Sequence, residues 1–275
     1  MEQCPKYCVV TMIFNNYEPI REPLEVSKNA DYICFTDNKN LKSDKWKVIY
    51  LKEFDTKEMT GIQKSFRLRY QLYKYIPNLE NYEYVFRIDG SVQILTPLDP
   101  IIQYLYKYGY DLLVPHNPHQ DNVIDGYYPF IGYKGVAPYY LTQYILRTCQ
   151  TYDYTMKGHE ESTVWVLRNT NNVWGIDDDI YKCMEQYHDH CRVPYDQSFS
   201  TYVLYQHLNS VNLCICNPLL YRGNDKVHSK YLMYCIHGKP DRVIDPDYVI
   251  DNWKSRRTIE VFDKIFILPT INFEH

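Results

Sequence analysis

The stretch Tyr84-Val-Phe-Arg-Ile-Asp89-Gly90-Ser91-Val-Gln-Ile94 begins as a buried strand and carries an aspartate, a glycine and a serine where its apolar run ends. If residues 84 to 88 form a central strand, Asp89 stands at its carboxyl end, the edge where open α/β sheets bind their ligands. The alternative is a tight turn, because Asp-Gly between two strand-like runs is a common hairpin signal. This stretch alone leaves both readings open.

The sequence around this stretch alternates between strand and helix patterns. The other predicted strands of the first half are Tyr7 to Phe14, Tyr32 to Phe35, Trp46 to Leu51 and Asp111 to Pro115, and the predicted helices are Gly61 to Tyr75 and Pro97 to Tyr108. In the second half we predict helices over Pro138 to Thr148, Asp178 to His190 and Asp196 to Leu208. This β-α-β rhythm predicts the α/β class.

The predicted helix that begins at Gly61 has two distinct faces. One face carries Ile62, Phe66, Tyr70 and Tyr73, and the other carries Lys64, Arg67, Gln71 and Lys74. The second face is either a set of cations that reaches an anionic ligand or an ordinary solvated helix surface.

Composition excludes several classes of protein. The chain has 275 residues, 45% of them hydrophobic, but no run approaches the roughly 20 apolar residues of a membrane span. The net charge of −4 shows no excess of positive charge that would bind a phosphate backbone, so nucleic acid is not an expected partner. Nine cysteines, an odd number without zinc-ribbon spacing, predict reduced thiols. With no signal peptide in view, we expect a cytoplasmic protein.

Four motifs occur here in the order in which one glycosyltransferase-like family carries F-T-D, W-I-D-G, E-T-x-x-x-x-R and R-D-Q-L-S-F. The corresponding segments are F-T-D ending at Asp37, I-D-G ending at Gly90, E-S-T-V-W-V-L-R over residues 161 to 168, and D-Q-S-F over residues 196 to 199. From about residue 30 to 205 the chain therefore resembles this family, which is catalogued as a domain of unknown function, and with it the GT-A glycosyltransferases.

A second resemblance is to the glycogenin-like retaining transferases. In that family a D-x-D metal motif is followed by a D-Q pair and by H-x-x-G-x-x-K-P. This chain has Asp196-Gln197 and a compressed His237-Gly238-Lys239-Pro240, with His228 as the alternative to His237. Ser91 stands where the second aspartate of D-x-D would be.

The resemblance implies one GT-A domain over residues 1–275, with a Rossmann-like mixed central sheet flanked by helices. Residues 1–115 would bind the nucleotide sugar, and residues 116–275 would form the acceptor side and a C-terminal closing segment. The implied reaction transfers a sugar from a nucleotide-diphosphate sugar, UDP-sugar first, to a glycan, protein or other hydroxyl acceptor. Mn²⁺ or Mg²⁺ would assist, and retention is favoured over inversion.

The resemblance also implies three sets of site residues. The catalytic residues would be Asp196, Glu161 and Gln197. The donor-binding residues would be Thr36, Asp37, Lys64, Arg67, Asp89, Gly90, Ser91, Arg168 and Lys239. The metal ligands would be Asp89, Ser91 and His237. Arg168 is expected to pair with Glu161 or Asp196, and helix capping is the alternative role of Asp196.

Two other functions share parts of this pattern. A catalytically weak GT-A-like module that only binds a glycan or nucleotide would keep the motifs, and the missing second aspartate favours it. A nucleotidyltransferase would use a similar sheet, but the segment after the first strand, Phe14-Asn-Asn-Tyr-Glu-Pro-Ile, lacks the Gly-rich, basic loop typical of that class.

Overall fold

The computed structural model describes residues 4–115, 162–191, 196–216, 220–221, 233–235, 258–260 and 265–267. Seven strands form the main sheet: β1 (Tyr7–Ile13), β2 (Ala30–Thr36), β3 (Lys47–Tyr50), β4 (Tyr84–Ile88), β6 (Leu112–Pro115), β7 (Val164–Arg168) and β8 (Leu213–Cys216). The smaller sheets hold β5 (Val92–Ile94), β9 (Leu220–Tyr221) and β10 (Met233–Cys235), and then β11 (Thr258–Glu260) with β12 (Ile265–Ile267).

Four α-helices accompany the strands in the described residues: α1 (Gly61–Tyr70), α2 (Asp99–Tyr108), α3 (Asn171–Cys191) and α4 (Gln197–Gln206). A capping box starts α1, in which the Thr60 hydroxyl accepts from the backbone N–H of Gln63 and the Gln63 side chain accepts from the N–H of Thr60. Gly109, with a left-handed φ of 67°, ends α2. Three single-turn 3₁₀ helices lie at Lys52–Phe54, Leu72–Lys74 and Leu79–Asn81.

The main sheet is mixed, in the order β3-β2-β1-β4-β7-β6-β8. β1 runs parallel to both β2 and β4, whereas β7 runs antiparallel to β4 and β6. The prediction of an α/β protein with a mixed sheet is therefore confirmed, and β4 has the predicted bounds.

The structure differs from the sequence prediction at helix ends and at β7, which the sequence analysis treated only as part of a motif. The helix predicted over Gly61 to Tyr75 stops at Tyr70 and continues as the 3₁₀ turn Leu72–Lys74. The helix predicted from Asp178 begins seven residues earlier, at Asn171. The predicted helix Pro138 to Thr148 lies outside the described residues.

Two hydrophobic clusters cover the two faces of the sheet. Alternate residues of β1 point to opposite faces, so Val10 packs with α1, α3 and α4, while Val9 packs with α2. Six cysteines, Cys4, Cys8, Cys34, Cys183, Cys214 and Cys216, are free thiols, and all of them except Cys183 are buried. Within the described part of the chain, no helix is long and apolar enough to cross a membrane.

A fully buried ion pair joins the sheet to two helices. The Nη1 of Arg87, in β4, donates to Oδ2 of Asp177, in α3, at 2.8 Å and to the main-chain oxygen of Arg69, in α1, at 2.9 Å. The rings of Tyr70 and Trp165 lie 5.1 and 4.9 Å from the guanidinium carbon. Burial raises the pKa of Asp177 to about 6 against the opposing attraction of Arg87.

Asp177→Asn should lower the free energy of unfolding by about 3 to 5 kcal/mol, because it leaves Arg87 buried without its counter-charge. Urea unfolding at pH 7 measures the loss. The matched control is Asp179→Asn in the same helix, whose half-exposed carboxylate pairs with Lys182 and His207, and which should cost about 1 kcal/mol or less. Equal losses in the two variants would contradict the role given to Arg87.

Candidate functional site

The strand order reverses between β1 and β4. From β1 the chain runs outward through β2 to β3, and β4 then pairs with the other side of β1. In open α/β sheets, ligands bind in the crevice outside the carboxyl ends of the strands at such a point. The segments that follow β1, β2 and β4 carry Asn15, Asp37 and Asp89 at this edge.

The turn after β1 has an unusual backbone. Asn15 and Asn16 adopt left-handed φ values of 53° and 52°, a conformation that asparagine tolerates better than most residues. The backbone N–H of Asn15 donates to both carboxylate oxygens of Asp37, at 2.9 and 3.2 Å, and the Asn38 amide donates to Oδ1 of Asn16 at 2.8 Å. Thr36, buried at the end of β2, accepts from the N–H of Asn38 at 3.0 Å. The loops after β1 and β2 are thus fixed to each other.

Lys64 of α1 completes this first cluster. Its Nζ donates to Oδ2 of Asp37 at 2.7 Å and to Oδ1 of Asn15 at 2.8 Å, and its side chain is only 2% exposed. The prediction placed Lys64 on the helix face opposite Ile62, with Ile62 on the apolar side, whereas Ile62 is 47% exposed. That assignment was wrong for these two residues. The carboxylate of Asp37 compensates the buried ammonium of Lys64, and α1 can therefore direct Lys64, together with Leu68, toward the protein interior.

Arg69 forms a second cluster at the same sheet edge. Its Nη1 donates to Oδ2 of Asp196, just before α4, at 2.6 Å, and its Nη2 forms an ion pair with Oδ1 of Asp89. The Arg69 and Asp196 side chains are almost fully buried, whereas Asp89 is about one-third exposed. One guanidinium therefore bridges two of the predicted site carboxylates.

Asp196 is held in its ionised form by its surroundings. It accepts hydrogen bonds from the hydroxyls of Tyr70, at 2.7 Å, and Ser162, at 3.1 Å, in addition to Arg69. Burial alone raises the pKa of Asp196, but the charge of Arg69 and these hydrogen bonds outweigh it and hold the pKa below its ordinary value. Its side chain does not cap α4, so the alternative reading as a helix cap was wrong.

The residues after Asp89 are constrained by the neighbouring strand. A Cβ on Gly90 would lie 2.7 Å from the main-chain oxygen of Met12, so glycine is required for the approach of this turn to β1. Ser91 is buried, with 4% exposure. The backbone N–H of Asp89 donates to the oxygen of Thr163 and so extends the pairing of β4 with β7.

Two predicted donor residues lie elsewhere. Arg168 pairs with Glu83 and Asp111, at the end of β7 that lies beside Tyr84, the first residue of β4. Because this is the sheet edge opposite Asp89, the expected pairing with Asp196 is wrong, and the alternative partner Glu161 lies outside the described residues. Arg67 is exposed on α1 and lies over the ring of Phe54, 5.6 Å away, and has no contact with either cluster.

The remaining predicted residues are only partly covered. Gln197 is buried at the first position of α4. Glu161, His228, His237 and Lys239 lie outside the described residues. Sequence reasoning missed Arg69, which stands in the same helix as Lys64. The sequence did carry one signal for such a residue, the aspartates that follow several strands. These aspartates predict buried cationic partners, but they do not identify which lysine or arginine supplies the charge.

Asp89 is the residue of this edge that fits a divalent cation. Its partly exposed carboxylate offers a hard oxygen ligand, and Mg²⁺ is commonly bound by one or two carboxylates plus the phosphates of its substrate. The described residues contain no group of three or more His, Cys, Asp or Glu that could hold a metal ion by itself. The donor set therefore fits a cation that receives part of its coordination from a bound phosphate.

No family model matches the chain, and no curated protein matches it.

Asp196→Asn should destabilise the fold by about 1.5 to 3 kcal/mol at pH 7, because Arg69 loses its buried counter-charge but keeps its ion pair with Asp89. The pKa of the Asp196 carboxyl is lower in the folded protein than in the unfolded chain, where it is near 4. The carboxylate therefore stabilises the fold above the unfolded-state pKa, and this stabilisation is lost as the pH falls through the folded-state pKa. The difference between wild type and variant should therefore shrink below about pH 5 in urea unfolding series. A difference that is constant from pH 7 to pH 3 would contradict the lowered pKa.

Proposed function

We propose that this chain is a glycosyltransferase that uses a nucleotide-diphosphate sugar, with a UDP-sugar as the first candidate donor. The observation that carries the proposal is the convergence of two cation–carboxylate clusters, Lys64 with Asp37 and Arg69 with Asp89 and Asp196, at one sheet edge. This edge is where an open α/β sheet binds nucleotides. The mixed sheet and the order of the sequence motifs agree with a GT-A fold.

In this proposal the nucleotide lies across the ends of β1 and β2, and the diphosphate lies near Asp89. The hydrogen-bonded turn of Asn15 and Asn16 provides a polar surface beneath the nucleotide. Non-glycine residues with a left-handed backbone conformation are often found at ligand sites. Asp89 would hold Mn²⁺ or Mg²⁺, which neutralises charge on the leaving phosphate when bound.

The reaction requires opposite charges at its two ends. A departing sugar develops positive charge at the anomeric carbon, and the leaving nucleotide develops negative charge. Asp196 is ionised, as a stabilising carboxylate must be, but it is buried under hydrogen bonds from three side chains. We therefore assign Asp196 to positioning Arg69. Glu161 remains the candidate for the carboxylate beside the sugar, and retention remains favoured by resemblance.

The second candidate is a binding module of the same fold without turnover. The hydrogen bonds of Asp196 favour the binding module. Its carboxylate already accepts from Arg69, Tyr70 and Ser162 and can accept few further hydrogen bonds from a substrate. Donor hydrolysis separates the two functions.

Asp89→Asn should weaken Mn²⁺-dependent binding of UDP at least about tenfold and leave the fold intact, because a rim carboxylate contributes little packing. Thermal shift with UDP, with and without Mn²⁺, is the measurement, and saturation at about 100 times Kd should stabilise wild type by about 2.7 kcal/mol. The control is Asp31→Asn, which removes a half-exposed carboxylate paired with Lys6 at the opposite sheet edge. Unchanged Mn²⁺-dependent binding in Asp89→Asn would exclude Asp89 as the ligand.

Wild type should hydrolyse at least one nucleotide sugar of a broad panel when no acceptor is present. Glu161→Gln should then reduce kcat far more than donor affinity, because it removes the negative charge beside a cationic transition state and keeps the size of the side chain. Release of the nucleotide diphosphate measures turnover. Donor binding without hydrolysis across the panel would instead support the binding module.

A further inference from the structure

Arg69 occupies the place where a cation would approach Asp89. Its Nη2 pairs with Oδ1 of Asp89, and its Nη1 is anchored on Asp196. The Arg69 side chain is 7% exposed, and Arg87 holds the main-chain oxygen of the same residue at 2.9 Å. Both ends of this arginine are thus fixed, and its guanidinium is a resident counter-ion of the exposed carboxylate.

We propose that Arg69 competes with divalent cations for Asp89, so that the site excludes a free cation and accepts one only together with a ligand that supplies further oxygens. The physical reason is direct, since a positive charge beside a carboxylate opposes the binding of a second one. A diphosphate overcomes this opposition because it brings its own negative charge and ligand atoms to the cation. The proposal rests on the proposed function only in taking Asp89 as the cation ligand.

The arrangement keeps Arg69 in place when a cation binds Asp89. When a cation draws Asp89 away from Nη2, the guanidinium retains Asp196, whose Oδ2 accepts from both Arg69 and Tyr70. Arg69 is therefore a positioning residue, and it is not required to contact the donor.

The test measures binding of Mn²⁺ alone, by calorimetry, without nucleotide. The double variant Arg69→Met/Asp196→Asn removes one positive and one negative charge, so the local net charge equals that of wild type and only the competitor is lost. Replacing a buried ion pair by neutral groups of similar size is often tolerated by a fold. We expect Mn²⁺ to bind at least about tenfold more tightly than to wild type.

Three further variants make the result decisive. Asp196→Asn keeps Arg69 on Asp89 and should bind Mn²⁺ no more tightly than wild type. Adding Asp89→Asn to the double variant should abolish the gain. If the double variant does not fold, Arg69→Lys keeps the charge beside Asp196 but lacks the fork that reaches both carboxylates, and it should also tighten Mn²⁺ binding.

Equal Mn²⁺ affinity in wild type and the folded double variant would overturn the proposal, as would a gain that persists in the triple variant. These outcomes are distinct from failure of the proposed function, which is measured by nucleotide binding and donor hydrolysis in wild type. A purely structural Arg69 would change the unfolding free energy and leave the Mn²⁺ affinity where it was.

Discussion

Burial of Arg87 in the middle of the main sheet is the constraint on which the arrangement of the site depends. A guanidinium at 1% exposure must have a counter-charge and hydrogen-bond acceptors. Asp177 supplies the charge from α3, and the last turn of α1 supplies a main-chain oxygen. The requirement to satisfy one cation of β4 therefore fixes the positions of two helices, and α1 in turn carries Lys64 and Arg69.

The same principle operates at the surface edge of the sheet, with one difference. Lys64 and Asp37 are both buried, so their pair is a closed unit that ties α1 to the loops after β1 and β2. Arg69 has one buried and one partly exposed partner. Among the charged side chains of these clusters, that of Asp89 keeps access to solvent, which is why we propose it as the point of contact with a ligand.

The sequence predicted local features well and long-range contacts poorly. β4 was placed correctly because a largely apolar run, interrupted by Arg87, ends at Asp-Gly. The start of α3 was missed because Asn169-Thr-Asn-Asn172 has the composition of a loop, although the hydroxyl of Thr170 accepts at 3.4 Å from the N–H of Val173 in the first turn. The contact of Arg69 with Asp196 spans 127 positions, and no local pattern encodes it.

The charge balance of the edge has a consequence for the proposed donor. Three carboxylates, those of Asp37, Asp89 and Asp196, face two cations, Lys64 and Arg69, which leaves an excess of negative charge. A bare diphosphate would meet this excess and be repelled. A diphosphate that carries a divalent cation would instead be attracted to this edge, because its cation would face the carboxylate of Asp89. In the proposed function, Ser91 in place of a second aspartate is compatible with cation binding, because one protein carboxylate is enough when the bound diphosphate supplies the remaining oxygens.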